Sequence, residues 1–159
     1  MSEAAIATAP SADIVKDADA AVQLLAQVRA EIGKVVFGQE RVVELVLATV
    51  LAGGHALLIG APGLAKTKLV EATARALGLD WGRVQFTPDL MPSDILGSEI
   101  LDETASGRSF RFVKGPIFTS LLMADEINRA SPRTQSALLQ AMQERHVTVA
   151  GASYDLPKP

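Results

Sequence analysis

The octapeptide GAPGLAKT at positions 60–67 constrains the fold of this chain more than any other feature of the sequence. It follows four apolar residues, 56–59, which predict a buried strand, and its Lys66-Thr67 pair opens a helical pattern. Small residues let backbone N–H groups curl around phosphate oxygens, and the helix N-terminus adds partial positive charge. Lys66 can reach the outer phosphates, and the Thr67 hydroxyl can ligate Mg²⁺. The octapeptide therefore predicts a phosphate-binding loop between a strand and a helix.

One position departs from the strict form of this loop. The strict pattern has glycine immediately before the lysine, whereas this chain has Ala65. A methyl group intrudes little if the backbone there is right-handed, and it causes strain if the backbone is left-handed. Taken alone, the loop leaves open an ordinary strand, Pro-Gly turn and helix that bind nothing.

A second motif, LLMADE at 121–126, favours the nucleotide site. Its four apolar residues, 121–124, predict a buried strand that ends in Asp125 and Glu126. Sheets in α/β proteins bind ligands at the carboxyl ends of their strands. Asp125 is therefore predicted to hold the metal, and Glu126 to activate a water beside the terminal phosphate. The alternative is that the two carboxylates only cap the next helix.

Three longer strings carry a resemblance: FTPDLMPSDILG at 86–97, GPIF at 115–118 and LLMADEINRASPRTQSALLQAMQE at 121–144. They closely resemble the MoxR family of AAA+ ATPases, and the resemblance runs over about residues 28–157. That family commonly carries alanine before the loop lysine, so Ala65 resembles a family trait. The resemblance implies that Mg-ATP is bound and hydrolysed. Gly38 and Gln39 match the family segment that lies near adenine, although a plain helix start is equally open.

The residue motifs and the resemblance agree on four positions. Lys66 is expected to bind the β and γ phosphates, Thr67 and Asp125 to hold Mg²⁺, and Glu126 to polarise the attacking water. The predicted nucleotide-binding residues are Gly38, Gln39, Gly60, Ala61, Pro62, Gly63, Leu64, Ala65, Lys66, Thr67 and Lys68, the predicted metal ligands are Thr67 and Asp125, and the predicted catalytic residues are Glu126 and Lys66.

The predicted fold class is α/β, a P-loop NTPase of AAA+ type with three α/β/α layers, a parallel sheet and β-hairpin insertions. We expect a flexible N-terminal tail over residues 1–19 and the N-terminal portion of an AAA+ core over residues 20–159. In the family, a later strand lies between the loop strand and the acidic strand, followed by the sensor, the arginine finger and a helical lid. We therefore expect the sheet to be incomplete at the C-terminus. Hairpins are predicted at 99–113, turning at Ser106-Gly107, and at 147–156.

Composition fits one domain and excludes several classes of protein. A chain of 159 residues can bury about 70% of its unfolded surface. Its net charge of -3, without a basic run, argues against nonspecific nucleic-acid binding. It has no cysteine, and the first 19 residues contain no signal-like apolar core, so a cytoplasmic protein without a membrane segment is expected.

Other nucleotide-binding proteins fit less well. A GTPase would carry Asn-Lys-x-Asp, but the single asparagine here, Asn128, is followed by Arg129. A small-molecule kinase has no need of Glu126 after the metal ligand. A non-hydrolysing nucleotide-binding module that assembles on a complete AAA+ subunit stays open. For the ATPase, the resemblance implies a homo-oligomeric ring, in the family a hexamer, that remodels protein clients, among them von Willebrand factor A domain proteins.

Overall fold

The computed structural model describes residues 12–61, 63–104 and 107–158. The helices are α1 (Ala12–Gly33), α2 (Glu40–Leu51), α3 (Lys66–Leu77), α4 (Pro92–Leu96) and α5 (Pro132–Glu144), with a 3-10 turn at Ile127–Arg129. The strands are β1 (Trp81–Gln85), β2 (Gly97–Thr104), β3 (Gly107–Lys114), β4 (Leu121–Asp125), β5 (His146–Val149) and β6 (Ala152–Asp155).

Helices α1, α2 and α3 pack around one apolar cluster. Its buried members come from all three helices and the turn after α1: Val28, Ile32, Val36, Val43, Val46, Leu47 and Leu69. Helix α1 starts earlier than predicted, at Ala12, so residues 12–19 of the predicted tail are helical. Alanine-rich sequence with Asp13 in the first turn favours a helix even where every side chain from 13 to 24 is exposed. Residues 1–11 lie outside the described part.

The predicted parallel sheet is present as the pair β1 and β4, with Trp81 opposite Leu121 and Gln85 opposite Asp125. The acidic motif therefore ends a strand in parallel pairing, as predicted, but the strand is half-buried and not buried, since one described strand pairs with it. Phe86, directly after β1, is completely buried, and its backbone N–H donates to the Asp125 carbonyl oxygen at 2.9 Å. This places the start of the FTPDL segment and the Asp-Glu pair at the same end of the two strands.

The strand predicted at residues 56–59 is not formed in the described structure. Residues 54–60 have no strand pairing, and the side chains of Leu57 and Ile59 are 76% and 88% exposed. An apolar segment becomes a strand only when a neighbouring strand pairs with its N–H and C=O groups. No described strand pairs with this segment. The segment is apolar, but the prediction that it forms a strand is wrong for the described structure.

A second apolar cluster packs α4, α5 and the β5 and β6 hairpin against β1 and β4. Its buried members are Val84, Phe86, Ile95, Ile117, Ala130, Leu138, Ala141 and Val147. Helix α5 starts as predicted: the Ser131 hydroxyl accepts from the Thr134 N–H at 3.3 Å, and Pro132 occupies the first turn.

Both predicted hairpins are present. Strands β2 and β3 pair over their full length, from Gly97 opposite Lys114 to Thr104 opposite Gly107, so this hairpin is longer than predicted. Strands β5 and β6 form the last one. Of the turn predicted at Ser106-Gly107, Ser106 lies outside the described residues. Within the described ranges, no helix is long and apolar enough to cross a membrane.

Candidate functional site

The loop at 60–65 leads directly into α3, whose first residue is Lys66. Leu69, Val70, Thr73 and Ala74 bury one face of α3 and so fix the position of its N-terminus. The Lys66 ammonium donates to the Gly60 carbonyl oxygen at 2.7 Å, which closes the loop onto itself. Thr67 follows in the first turn, half-buried. Pro62 lies outside the described residues, and Ala61 is exposed.

Ala65 adopts the left-handed conformation, with φ 53° and ψ 24°. Gly63, two residues earlier, is also left-handed, with φ 82°. Of the two cases that the sequence left open at Ala65, the structure therefore has the strained one. The strict pattern has glycine at this position because a residue without Cβ reaches this conformation at no steric cost.

We expect Ala65→Gly to raise the free energy of unfolding by about 0.5 to 1 kcal/mol, because the relief of left-handed strain exceeds the added entropy of an unfolded glycine. The melting temperature should rise by roughly 1 to 4 °C. The matched control is Ala48→Gly on the exposed side of α2, which should lose about 1 kcal/mol because its backbone is right-handed. If both substitutions destabilise equally, Ala65 is not strained.

Gly38 and Gln39 lie beside this loop. Gly38 is left-handed, with φ 68°, and turns the chain into α2. The Gln39 side-chain amide donates to the Leu64 carbonyl oxygen at 3.0 Å, although the two residues are 25 positions apart. Gly38 also lines a cavity of about 260 Å³ with the exposed Phe37. Their predicted place near adenine stays a prediction, but Gln39 contacts the phosphate-loop backbone.

Lys68 does not face the loop with its side chain. Its ammonium donates to Glu71 Oε2 at 3.0 Å, and Arg75 contacts the other carboxylate oxygen of Glu71 at 2.8 Å. The hydrogen bond from Lys68 holds the pKa of Glu71 below its ordinary value. The nucleotide-binding role of Lys68 stays a prediction, and in this structure its ammonium is paired with Glu71.

Asp125 ends β4, and its side chain is paired. Arg83 Nη2 on the neighbouring strand β1 donates to Asp125 Oδ2 at 2.6 Å and to Gln85 Oε1 at 3.0 Å. Side chains at diagonal positions on adjacent strands reach each other in this way. Sequence reasoning missed Arg83, because its only signal is an arginine in a strand whose pairing was unknown. The pair fixes one carboxylate oxygen of Asp125 and leaves the other for a further ligand.

Glu126 leaves the strand in a left-handed turn, with φ 54° and ψ 39°. Its side chain makes no capping hydrogen bond to the 3-10 turn that follows. It instead accepts from Arg129 Nη1 at 2.7 Å, and both side chains are about half exposed. The alternative that Glu126 only caps the next helical segment is therefore not supported. Its carboxylate stands at the surface, next to the end of β4.

The donors fit a hard cation that keeps most of its waters. Asp125 and Thr67 offer one carboxylate and one hydroxyl, and Mg²⁺ is usually held by one or two such protein oxygens together with substrate phosphates. In the described part of the chain, no group of three or more histidine, aspartate or glutamate side chains gathers as a metal cage. The donor chemistry of Asp125 and Thr67 is thus of the kind that Mg²⁺ takes.

Comparisons with known proteins find relatives along most of the chain. Residues 55–159 match the model of the ATPase family associated with various cellular activities (AAA). The chain is 47% identical over 130 residues to chaperone MoxR1 of Mycobacterium tuberculosis, covering 81% of this chain and 34% of that protein. It is 39% identical over 132 residues to protein MoxR of Methylorubrum extorquens, covering 80% of this chain and 38% of that protein.

A solved structure extends the similarity to the fold. A protein of Cytophaga hutchinsonii, provisionally described as an ATPase, superposes with a TM-score of 0.79 at 40% identity, over 94% of this chain and 46% of that one. The chain thus spans between about a third and a half of the length of these three relatives.

Proposed function

The chain belongs to the AAA family of ATPases, in its MoxR branch, and on this premise we propose that it binds Mg-ATP and forms the hydrolytic half-site of a protein-remodelling ATPase. The observation that carries the proposal is one arrangement. A strained loop delivers Lys66 to the N-terminus of a firmly packed helix, and a parallel strand ends in Asp125 and Glu126. Such loops hold phosphate through backbone N–H groups and the helix N-terminus.

Lys66 has the first task in the proposed mechanism. Its ammonium exchanges the Gly60 carbonyl oxygen for the outer phosphate oxygens, a stronger partner because both groups are charged. The Thr67 hydroxyl and the free oxygen of Asp125 would hold Mg²⁺, while Arg83 keeps the Asp125 carboxylate oriented through its other oxygen. When bound, Mg²⁺ neutralises charge that develops on the phosphates.

Glu126 is the proposed base. Its exposed carboxylate accepts a proton from a water that attacks the terminal phosphate, and to do so it turns away from Arg129. A surface ion pair of this kind contributes about 0 to 1 kcal/mol, so it does not hold the glutamate firmly. The Glu126 carboxylate is therefore oriented by Arg129 when no nucleotide is bound, and it can leave this pair during hydrolysis.

The remodelling role is proposed from the relatives. MoxR1 of Mycobacterium tuberculosis carries the name chaperone, and we propose a corresponding activity, in a ring oligomer, for the protein to which this chain contributes. A second candidate is a nucleotide-binding module that assembles with another subunit without hydrolysis. The unpaired apolar segment at 56–59 favours it, because a strand from a partner would pair with its backbone N–H and C=O groups.

The proposal is tested by titrating ATP with Mg²⁺ into this chain and into Lys66→Ala. We expect the substitution to raise the Kd by about 10- to 100-fold, because it removes charge-assisted hydrogen bonds to phosphate. The control is Lys34→Ala, which removes an exposed ammonium paired with Glu31 and should bind ATP normally. Equal affinity for all three chains, or no binding by the unsubstituted one, would contradict the phosphate-loop role.

A further inference from the structure

Gln39 occupies the residue before α2 and does not cap that helix. Its side chain makes no capping hydrogen bond to α2. Glutamine is also not among the side chains that helices favour at this position. The amide instead reaches Leu64 at the far end of the phosphate loop, 3.0 Å from the carbonyl oxygen. A side chain that leaves its own helix N-terminus and contacts a loop 25 residues away acts on that loop.

Leu64 is the residue before the strained Ala65, so this contact acts on a particular peptide unit. The Leu64 carbonyl and the Ala65 N–H belong to one planar trans peptide, and the two groups point in opposite directions. Fixing the carbonyl on Gln39 therefore aims the Ala65 N–H away from Gln39. The backbone N–H groups of such loops are the ones that hold phosphate oxygens. Gln39 thus sets the direction of one of these donors.

In the described residues, two side chains donate to the backbone of this loop: Lys66 to Gly60 and Gln39 to Leu64. The proposed mechanism moves Lys66 from Gly60 to the phosphates. The Gln39 contact does not compete with phosphate for a donor, because its acceptor is a carbonyl that faces away from the Ala65 N–H. It is therefore the contact that can persist while nucleotide is bound.

We infer that Gln39 is a positioning residue that clamps the left-handed turn at Leu64-Ala65 and so preorganises the phosphate loop. The inference rests on the proposed ATP binding and deepens it, since Gln39 acts through the loop and not through the adenine. It makes Gln39 and Ala65 energetically coupled. Glycine in place of Ala65 would need the clamp less, because glycine adopts the left-handed conformation without strain.

The first test uses Gln39→Met, which keeps the length of the side chain and removes its donor. We expect the Kd for ATP to rise about tenfold, the usual effect of losing one hydrogen bond that orders a site. The same substitution at Gln143, exposed on α5, is the matched control and should leave the Kd unchanged. Unchanged affinity in Gln39→Met, while Lys66→Ala loses binding, would overturn the inference and leave the proposed function standing.

The second test is a double-mutant cycle with Ala65→Gly. If Gln39 acts by holding Ala65, Gln39→Met should raise the Kd for ATP only about threefold or less in a chain that already carries Ala65→Gly. The reason is that the effects of coupled positions are not additive. An equal rise in the Kd for ATP with and without Ala65→Gly would overturn the clamp. That result is expected of a side chain that contacts the nucleotide directly.

A third measurement does not depend on nucleotide at all. Amide hydrogen exchange of the 60–66 segment should be faster in Gln39→Met than in the unsubstituted chain and in Gln143→Met, with exchange elsewhere unchanged. If the chain failed to bind ATP, faster loop exchange would still support the clamp and only the proposed function would fall. Loop exchange that stays the same in all three chains would overturn the clamp.

Discussion

Replacing Glu126 by glutamine is expected to lower the rate of ATP hydrolysis by about 10²- to 10⁴-fold while ATP binding is retained. The amide has nearly the same shape as the carboxylate, and its oxygen can still accept from Arg129 Nη1, which now lies 2.7 Å from the glutamate. What the substitution removes is basicity. Because Glu126 follows the strand in an exposed turn, the change should leave the fold around it intact.

Two quantities are measured: the rate of phosphate release at saturating ATP and the Kd for ATP. The unsubstituted protein must hydrolyse ATP in the same preparation. Glu144→Gln, at the C-terminus of α5, is the matched control, and this variant should hydrolyse ATP at the same rate as the unsubstituted chain. Turnover that is unchanged by Glu126→Gln would remove Glu126 from the mechanism and favour the non-hydrolysing module. A parallel loss of binding and hydrolysis would instead place Glu126 among the binding residues.

The second large effect is structural: Gly115→Ala should destabilise the fold by about 3 kcal/mol. A Cβ at Gly115 would collide with the Ile95 carbonyl oxygen and lie 2.5 Å from the backbone nitrogen of Gly97. These are backbone atoms, which cannot rotate aside as a side-chain end can. The Ile95 carbonyl also accepts from the Ile117 N–H at 3.2 Å, so moving it breaks a second contact.

The free energy of unfolding, from urea denaturation followed by circular dichroism, checks this prediction. The matched control is Gly33→Ala at the end of α1, where an added Cβ meets nothing within 4 Å. It should change stability little. Comparable stability of the two variants would show that the base of the β2 and β3 hairpin is more open than its backbone contacts indicate.

The collision expected at Gly115 explains why two of the sequence motifs carry glycine at one end. The DILG string ends at Gly97, and the GPIF string begins at Gly115. The two glycines lie back to back at the base of the β2 and β3 hairpin, and Gly97 also has a positive φ of 96°. The sequence identified both strings by resemblance, and only the structure explains why neither position takes a side chain.

Several parts of the fold could be predicted because their causes are local. Ser131-Pro132 starts a helix through a cap and a ring that fits the first turn, whatever the rest of the chain does. Two short segments with a glycine-containing turn between them predicted both hairpins. The strand at 56–59 could not be predicted correctly, because apolarity alone does not supply a pairing partner.

For the candidate site, the sequence by itself determined the chemistry that is available: a small-residue loop, Lys66 and Thr67 at a helix start, and Asp125 and Glu126 at a strand end. These follow from neighbours along the chain. Tertiary structure alone decided the partners of these groups. Gln39 reaches Leu64 across 25 positions and Arg83 reaches Asp125 across 42, and such contacts exist only after packing has brought distant segments together. The same packing holds Ala65 left-handed, which its own propensity opposes.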